Sequence, residues 1–393
     1  LFNIFYLYIS LTVLLPKIDF GFVTIYLFEI SIMPIGLYLL AKKKMIFLTN
    51  IEKYYLLFMY ISTLTYISGV FNTEIIDVKT IFLIIKYTSF GFIIPISYHF
   101  SKYINRSKME NILLFQLAYV LIFGTYVLYN MYFYPIPVGD IIWSYSKEYR
   151  LIGFTGYAFG VDGLRSVGNT SVQTGVFIAL LFLLYFSLYI NLNKKRYLLF
   201  MFITLVGELL TQSRTGLLIT IIGTLYIFIE NYNKKKMLKI IFFSLFGLAF
   251  LVWYFDLLEL ILNFGTIGKV ASTIGFEDGS SQIRMKYMTD AIEYVSNNPL
   301  TLIFGSGYGE AFSIKLIGTP FLENLIFTVL FQSGFIAFIV VNFVFYFMWK
   351  YSNAFSKRKV HNIYSALLYG VKLFIPGFFI ANSVGGNSLQ TDF

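Results

Sequence analysis

LLFMFITLVGELLTQSRTGLLITIIGTLYIFI, Leu198 to Ile229, decides the fold. Leu198–Leu210 and Leu217–Ile229 are as apolar as membrane helices. The six residues between them, Thr211–Gly216, leave room only for a tight hairpin. Arg214 stands at that joint. A guanidinium is always charged, and placing it inside a bilayer costs roughly 2.5–3.5 kcal/mol even on the lenient insertion scale. An arginine in this place either snorkels to the head-groups or binds something anionic.

The rest of the composition agrees with a membrane setting. Hydrophobic residues make up 58% of the 393 and charged residues 13%, about half the charged share of a soluble domain. Mean hydropathy is +0.74. The chain reads as an all-α, polytopic membrane protein. It has no cysteine, which excludes disulfides, thiolate metal sites and cysteine nucleophiles. Its two histidines, His99 and His361, lie beside basic residues near helix ends, which argues against a histidine metal site or a Ser-His-Asp triad. Leu1–Leu15 lacks a basic leader and a small-residue cleavage site, and reads as a first membrane helix.

A membrane helix needs about 20 mostly apolar residues. That template predicts about eleven segments, near 1–15, 21–41, 54–71, 80–98, 111–134, 171–191, 197–211, 216–230, 237–255, 322–349 and 362–383. Basic clusters punctuate every second connection: Lys42–Lys44 with Lys53; Lys102, Arg106 and Lys108; Lys194–Arg196; Lys234–Lys236 with Lys239; and Lys350 with Lys357–Lys359. The positive-inside rule then places the N-terminus in the cytoplasm and the C-terminus outside the inner membrane. The net charge of +10 is read as topology and attraction to anionic lipid, with no nucleic-acid partner. The organisation follows: N-terminal membrane helices over 1–134, an external loop over 135–170, and helices with the hairpin over 171–255. A large external loop with an amphipathic helix covers 256–321, and C-terminal helices cover 322–393.

The polar residues gather in the two external loops and at the hairpin. In the first loop, Arg150 and Arg165 are the arginines, and Arg165 precedes a polar run into a membrane helix whose free N–H groups suit an anion. Each also has a plain reading as a head-group anchor. In the second loop, Ile283, Met285, Met288, Ala291, Ile292 and Val295 fall near helical spacing until Asn297-Asn298-Pro299 stops them. This predicts an amphipathic helix along the membrane face, with Arg284 and Lys286 in its first turns. Gly305–Glu310, GSGYGE, is a poor nucleotide fingerprint, since it lacks the GxGxxG spacing and a βαβ unit. It reads as a turn-rich loop carrying Tyr308, whose backbone comes close to a ligand or is simply flexible. Glu323 and Asn324 open the next helix. A carboxylate there suits the helix dipole and, facing external arginines, is also a candidate general base. Glu29, Lys86, Glu208 and Lys372 are charges within membrane segments, which tend to face the bundle interior and pair.

These residues together resemble the O-antigen ligase and polysaccharide polymerase family of membrane glycosyltransferases. The matching features are SRTG (Ser213–Gly216) and the run R-x-K-Y…A-I-E-Y…N-N-P-L…F-G-S-G-Y-G (Arg284–Gly309). E-N-L-I-F…Q-S-G-F-I (Glu323–Ile336) and the arginine at 165 complete them. The resemblance covers roughly residues 150–345; the first five helices match only in hydropathy. It implies a helical enzyme of the GT-C type, working without metal or other cofactor on a polyprenyl-diphosphate-linked glycan at the outer face of the cytoplasmic membrane. Glu323, Arg214 and Arg284 then become catalytic candidates. Arg165, Arg150, Lys286, Tyr308 and Asn324 become substrate-binding ones, because guanidinium groups stay charged and bind phosphate bidentately. Membrane lipids, a flippase and a chain-length regulator are the implied partners.

One departure matters. Ligases of the family usually carry histidine just before the asparagine of this late helix, and here Glu323 stands there. This favours a polymerase over a ligase that passes finished glycan to another acceptor. A flippase is expected to show repeated halves and charges buried along several helices, and an acyltransferase a well-placed histidine. The sequence shows no internal repeat, its polar content is concentrated in the two external loops, and neither histidine is well placed.

Overall fold

A computed structural model describes residues 2–11, 17–19, 24–42, 49–133, 155–158, 161–164, 171–211, 213–231, 279–319, 325–356 and 362–384. Helices dominate it. They are α1 Phe2–Leu11, α2 Leu27–Ala41, α3 Asn50–Thr73, α4 Val78–Phe90, α5 Ile93–Ser101, α6 Arg106–Phe133, α7 Ser171–Leu192, α8 Lys195–Leu210 and α9 Arg214–Asn231. The large loop adds α10 Gly279–Asn297, α11 Pro299–Phe304 and α12 Glu310–Ile317, before α13 Leu325–Ser356 and α14 Ile363–Val384. Two small antiparallel hairpins qualify the all-α expectation: β1 Lys17–Asp19 with β2 Thr24–Tyr26, and β3 Thr155–Ala158 with β4 Val161–Leu164. The first of them shortens the segment expected at 21–41, whose helix starts at Leu27.

Five described helices are long and apolar enough to cross a membrane: Asn50–Thr73, the joined pair Val78–Ser101, Thr174–Leu192, Leu325–Ser356 and Ile363–Ser383. Each coincides with an expected segment, and the chain is a multi-pass membrane protein. The expected segment 237–255 lies outside the described residues.

Local chemistry sets the ends. After the Lys42–Lys44 cluster, Thr49 and Glu52 form a capping box that starts α3: the Glu52 N–H donates to Thr49 Oγ1 (3.4 Å) and the Thr49 N–H to Glu52 Oε2 (2.6 Å). Asp77 caps α4 through the N–H and hydroxyl of Thr80. Pro95 lacks an N–H, so the helix restarts at Ile93, where the proline falls in the first turn and no hydrogen bond is lost.

The core is built by α7, α8, α9 and α14, with α6 against α8. Leu183, Tyr185, Phe186, Ile219 and Leu373 are fully buried within it. Small residues let the backbones approach: a Cβ on Gly370 would lie 2.9 Å from Leu184 Cα, and one on Gly377 would lie 2.9 Å from the Ile219 carbonyl. These contacts run α14 antiparallel to α7 and α9. The start of α9 and the end of α14 therefore share one end of the bundle. The opposite end collects basic connections. Arg106 and Arg196, from two of them, both reach Glu110 at 3.2 and 3.1 Å, and Tyr197 donates its hydroxyl to the same carboxylate.

The buried charges differ in how they are met. Lys372, 2% exposed, pairs with Glu230 and lies 5.3 Å from the rings of Tyr226 and Tyr369. Lys86 sits 5.9 Å from the Tyr87 ring. The Glu29 side chain lies outside the described residues.

Candidate functional site

The hairpin is tied by its own hydroxyls. Thr211 Oγ1 donates to the Glu208 carbonyl at the end of α8 (2.7 Å) and accepts the Ser213 N–H (3.1 Å). Ser213 then caps α9: its Oγ accepts from the Gly216 N–H at 3.1 Å, while its carbonyl accepts from Leu217. Arg214 is thereby the first residue of α9. Its helix position is fixed by two hydroxyl side chains and by two glycines. A Cβ on Gly216 would fall 2.0 Å from Glu208 Oε1 and 2.6 Å from the Gly175 carbonyl carbon; one on Gly175 would fall 2.2 Å from Ser213 Cβ. The start of α7, the end of α8 and the start of α9 meet here, and the side chains nearest the two glycines are those of Thr211, Ser213 and Glu208. In that notch sits Glu208, 1% exposed, with neither carboxylate oxygen hydrogen-bonded among the described residues. The sequence suggests a link between Glu208 and Arg214; the structure brings the carboxyl to Gly216, two residues along α9 from that arginine.

The GSGYGE segment is packed, and its glycines serve the protein's own backbone. α13 is kinked at Gly334 (φ 80°, ψ 175°), so the segment expected as one span at 322–349 is two helical pieces joined at QSGF. The break frees carbonyls for the loop. The Phe331 carbonyl accepts from the Ser306 N–H (2.7 Å) and Oγ (2.8 Å), and the Gln332 carbonyl accepts from Gly307 (3.2 Å). Only glycine fits at the crossing: a Cβ on Gly305 (φ 81°) would lie 2.4 Å from the Gln332 carbonyl, and one on Gly334 would lie 2.3 Å from the Ile303 carbonyl. Beyond it, Gly307 meets Gly69 of α3, Gly309 meets Thr80 of α4, and Glu310 pairs with Lys79 at 3.0 Å. Phe312 is fully buried in a cluster with Met59, Tyr66 and Ile84. Tyr308 joins that cluster, and burial pushes its phenol above the ordinary tyrosine value.

α10 covers this arrangement. Tyr287, Ala291, Tyr294 and Val295 pack against Phe327 and Phe331 of α13 and against Leu316 and Ile317 of α12. Of the apolar face expected along the membrane, Ala291 and Val295 are spent on protein, while Ile292 is exposed at 53%. Arg284 is the sixth residue of this helix, and Lys286 two residues on is exposed.

Of the remaining candidates, Arg150, Arg165, Glu323 and Asn324 lie outside the described residues, as do the side chains of Arg214 and Arg284. Their chain neighbours are informative. β4, which ends at Leu164 directly before Arg165, packs against α6, α7 and α8. α13, which starts directly after Asn324, packs on α14, and α14 packs on α9. The starts of α7, α9 and α13 fall at the same end of the bundle as the docked loop. Sequence reasoning missed Gly175, Lys79 and Gly334; an isolated glycine in a helical run was the available signal for the last.

Comparison with curated proteins gave no match, and comparison with solved structures gave none either. Residues 199–342 match the family described as O-antigen ligase. The matched stretch runs from α8 through the TQSRTG hairpin, α10 and the docked loop to the kinked first part of α13.

Proposed function

We propose that this protein is a polymerase that joins polyprenyl-diphosphate-linked oligosaccharide repeats into a surface polysaccharide at the outer face of the cytoplasmic membrane. The observation that carries the reading is the family match over 199–342, with Glu323 standing where the ligases usually carry histidine. In this reading the acceptor sugar hydroxyl attacks the anomeric carbon of the donor. The bond from that carbon to the diphosphate oxygen breaks, and its electron pair leaves with the lipid diphosphate. Glu323 takes the hydroxyl proton. Arg214, Arg284 and Arg165 hold the diphosphate oxygens and meet the charge that grows on them.

The hairpin supports that role for Arg214. A residue at the first position of a helix shares the site with free N–H groups and the positive end of the helix dipole, which favour an anion. The hydroxyl ties and the Gly175–Gly216 crossing hold this helix start rigidly, as charge stabilisation requires. Lys286 and Asn324 are proposed to contact glycan, and Arg150 to contact head-group phosphate. Tyr308 serves through its packing in the loop. N-terminus in, loops out, is the orientation this chemistry needs, since the lipid-linked units are joined outside.

Replacement of Arg214, Arg284 and Glu323 tests the reading in a strain that makes the polysaccharide. Arg214→Ala and Arg284→Ala are each expected to slow polymerisation by about 10²–10³, with lysine recovering part. Glu323→Gln is expected to cost about 10²–10⁴. Single lipid-linked repeats should accumulate. Finished polymer held on its carrier would instead identify a ligase, and unchanged long chains with both arginines replaced would end the diphosphate-site argument.

A further inference from the structure

The large loop expected wholly outside the membrane contains a helix with no buried residue. In α11, Leu300 is 69% exposed, Leu302 47%, Ile303 45% and Phe304 58%. Four bare apolar side chains on six residues form a patch that a water-facing loop rarely tolerates. The loop's charged groups lie elsewhere: Lys286 on α10, and Glu310 and Lys315 on α12.

The level of α11 along the bundle says what covers it. It is seated on α13 at Gln332–Gly334, where the Ile303 carbonyl and Gly305 cross the kink. At the far end of α13, Trp349 and Lys350 mark an interface, with the Lys350 ammonium 5.6–5.7 Å from the Phe347 and Tyr346 rings. A hydrocarbon core of about 30 Å, at about 1.5 Å per residue, takes roughly 20 residues back from there, to Leu330. The kink therefore falls just inside the apolar region. Immediately beyond it, Phe335, Ile336 and Ile339 are exposed on the surface of a membrane-crossing helix, at 48%, 45% and 41%. The bare residues of α11 lie on the segment seated at that same kink.

We propose that α11 is an interfacial helix whose Leu300, Leu302, Ile303 and Phe304 insert among the acyl chains of the leaflet on the loop side. The large loop is then fastened twice, by Ser306 and Gly307 to the α13 kink and by α11 to the bilayer. A glycan chemistry that takes its donor from lipid gains a loop registered to the lipid surface, although the inference stands without that chemistry. Shallow insertion of an apolar helix face is the general behaviour of interfacial helices.

The absence of cysteine makes a direct test possible. Leu300→Cys and Phe304→Cys, each carrying a nitroxide, are reconstituted into phosphatidylethanolamine–phosphatidylglycerol vesicles. Collision with oxygen, which partitions into acyl chains, is compared with collision with a water-soluble nickel chelate. Ile339→Cys gives the lipid-facing reference and Lys315→Cys the water-facing one. Both α11 labels are expected to follow Ile339. Labels that follow Lys315 would overturn the proposal by showing a water-exposed loop. Labels shielded from both reagents would overturn it by showing a protein cover, such as a second copy of the chain. The readout needs no activity, so its failure would leave the polymerase reading untouched.

Discussion

Replacing Gly334 by alanine sets two penalties against the contact that seats the large loop. The backbone there (φ 80°, ψ 175°) lies in a region that side chains avoid, at about 1–3 kcal/mol. The new methyl would also sit 2.3 Å from the Ile303 carbonyl oxygen and 2.6 Å from the Gly305 nitrogen, both backbone atoms that have no side-chain freedom to yield. Separating the two segments gives up the Ser306-to-Phe331 and Gly307-to-Gln332 hydrogen bonds, each worth about 0.5–1.5 kcal/mol. Those bonds hold the loop in either protein, so the shift comes from the two penalties. With overpacking at about 1–3 kcal/mol, they come to about 2–6 kcal/mol, a shift of about thirtyfold or more toward an undocked loop. Trypsin reads the change in proteoliposomes, because Lys315 is exposed on α12 and Lys286 on α10. Cleavage at both should rise in the variant while α13 and α14 stay protected by the membrane. Gly318→Ala is the matched control: it has φ 72°, and a Cβ there meets nothing within 4 Å. If Gly334→Ala is cleaved no faster than Gly318→Ala, the collision with the loop backbone is not what the geometry says, and the docking argument fails.

Gly216→Ala should destabilise the hairpin by about 1–3 kcal/mol through overpacking and lower polymer yield. Adding Glu208→Ala should recover part of the loss, because Glu208 Oε1 occupies the place of the new methyl; a double-mutant cycle in thermal melts should show coupling of about 0.5–3 kcal/mol. Glu230→Gln should cost about 3–5 kcal/mol by stranding buried Lys372, and Lys372→Met on that background should restore most of it. Burial alone would raise the Glu110 carboxyl; hydrogen bonds from Arg106 and Tyr197 and the charges of Arg196 and Arg106 hold it below its ordinary value. Its contribution is therefore complete above about pH 4.3, the ordinary glutamate value, and is lost as pH falls through the lower, folded one. Glu110→Gln should flatten that acid limb of a melting-temperature profile, and an unchanged limb would remove the Glu110 pairing from the stability account.

Hydropathy made the long spans legible, because a bilayer demands apolar length and little else. The TQSRTG hairpin was legible for the same reason, and Asn297-Asn298-Pro299 marked the stop of α10 through backbone chemistry alone. What stayed hidden are crossings between segments far apart in sequence. Gly175 stands 38 residues before Ser213, and nothing near it announces that a serine will occupy the place of its missing Cβ. Gly334 lies in an apolar run that reads as continuous helix, and its kink is needed only because Gly305 must pass there. The apolar spacing of α10 was visible, but spacing cannot choose between lipid and the faces of Phe327 and Phe331. The glycines of GSGYG likewise promised close approach without saying to what, and the answer is α3, α4 and α13.

These crossings bear on how far the family segment stands alone. Residues 199–342 include the docked loop, but the loop's partners lie largely before it. Gly307 is received by Gly69, Gly309 by Thr80 and Glu310 by Lys79, and Phe312 is fully buried only because Met59, Tyr66 and Ile84 surround it. On the other side, α14 closes the hairpin helix through Gly377 against Ile219. Cut free, the segment would bare Phe312 and part the backbone contacts that hold GSGYG in place. The helices before 199–342 thus supply surfaces on which the docked loop is shaped.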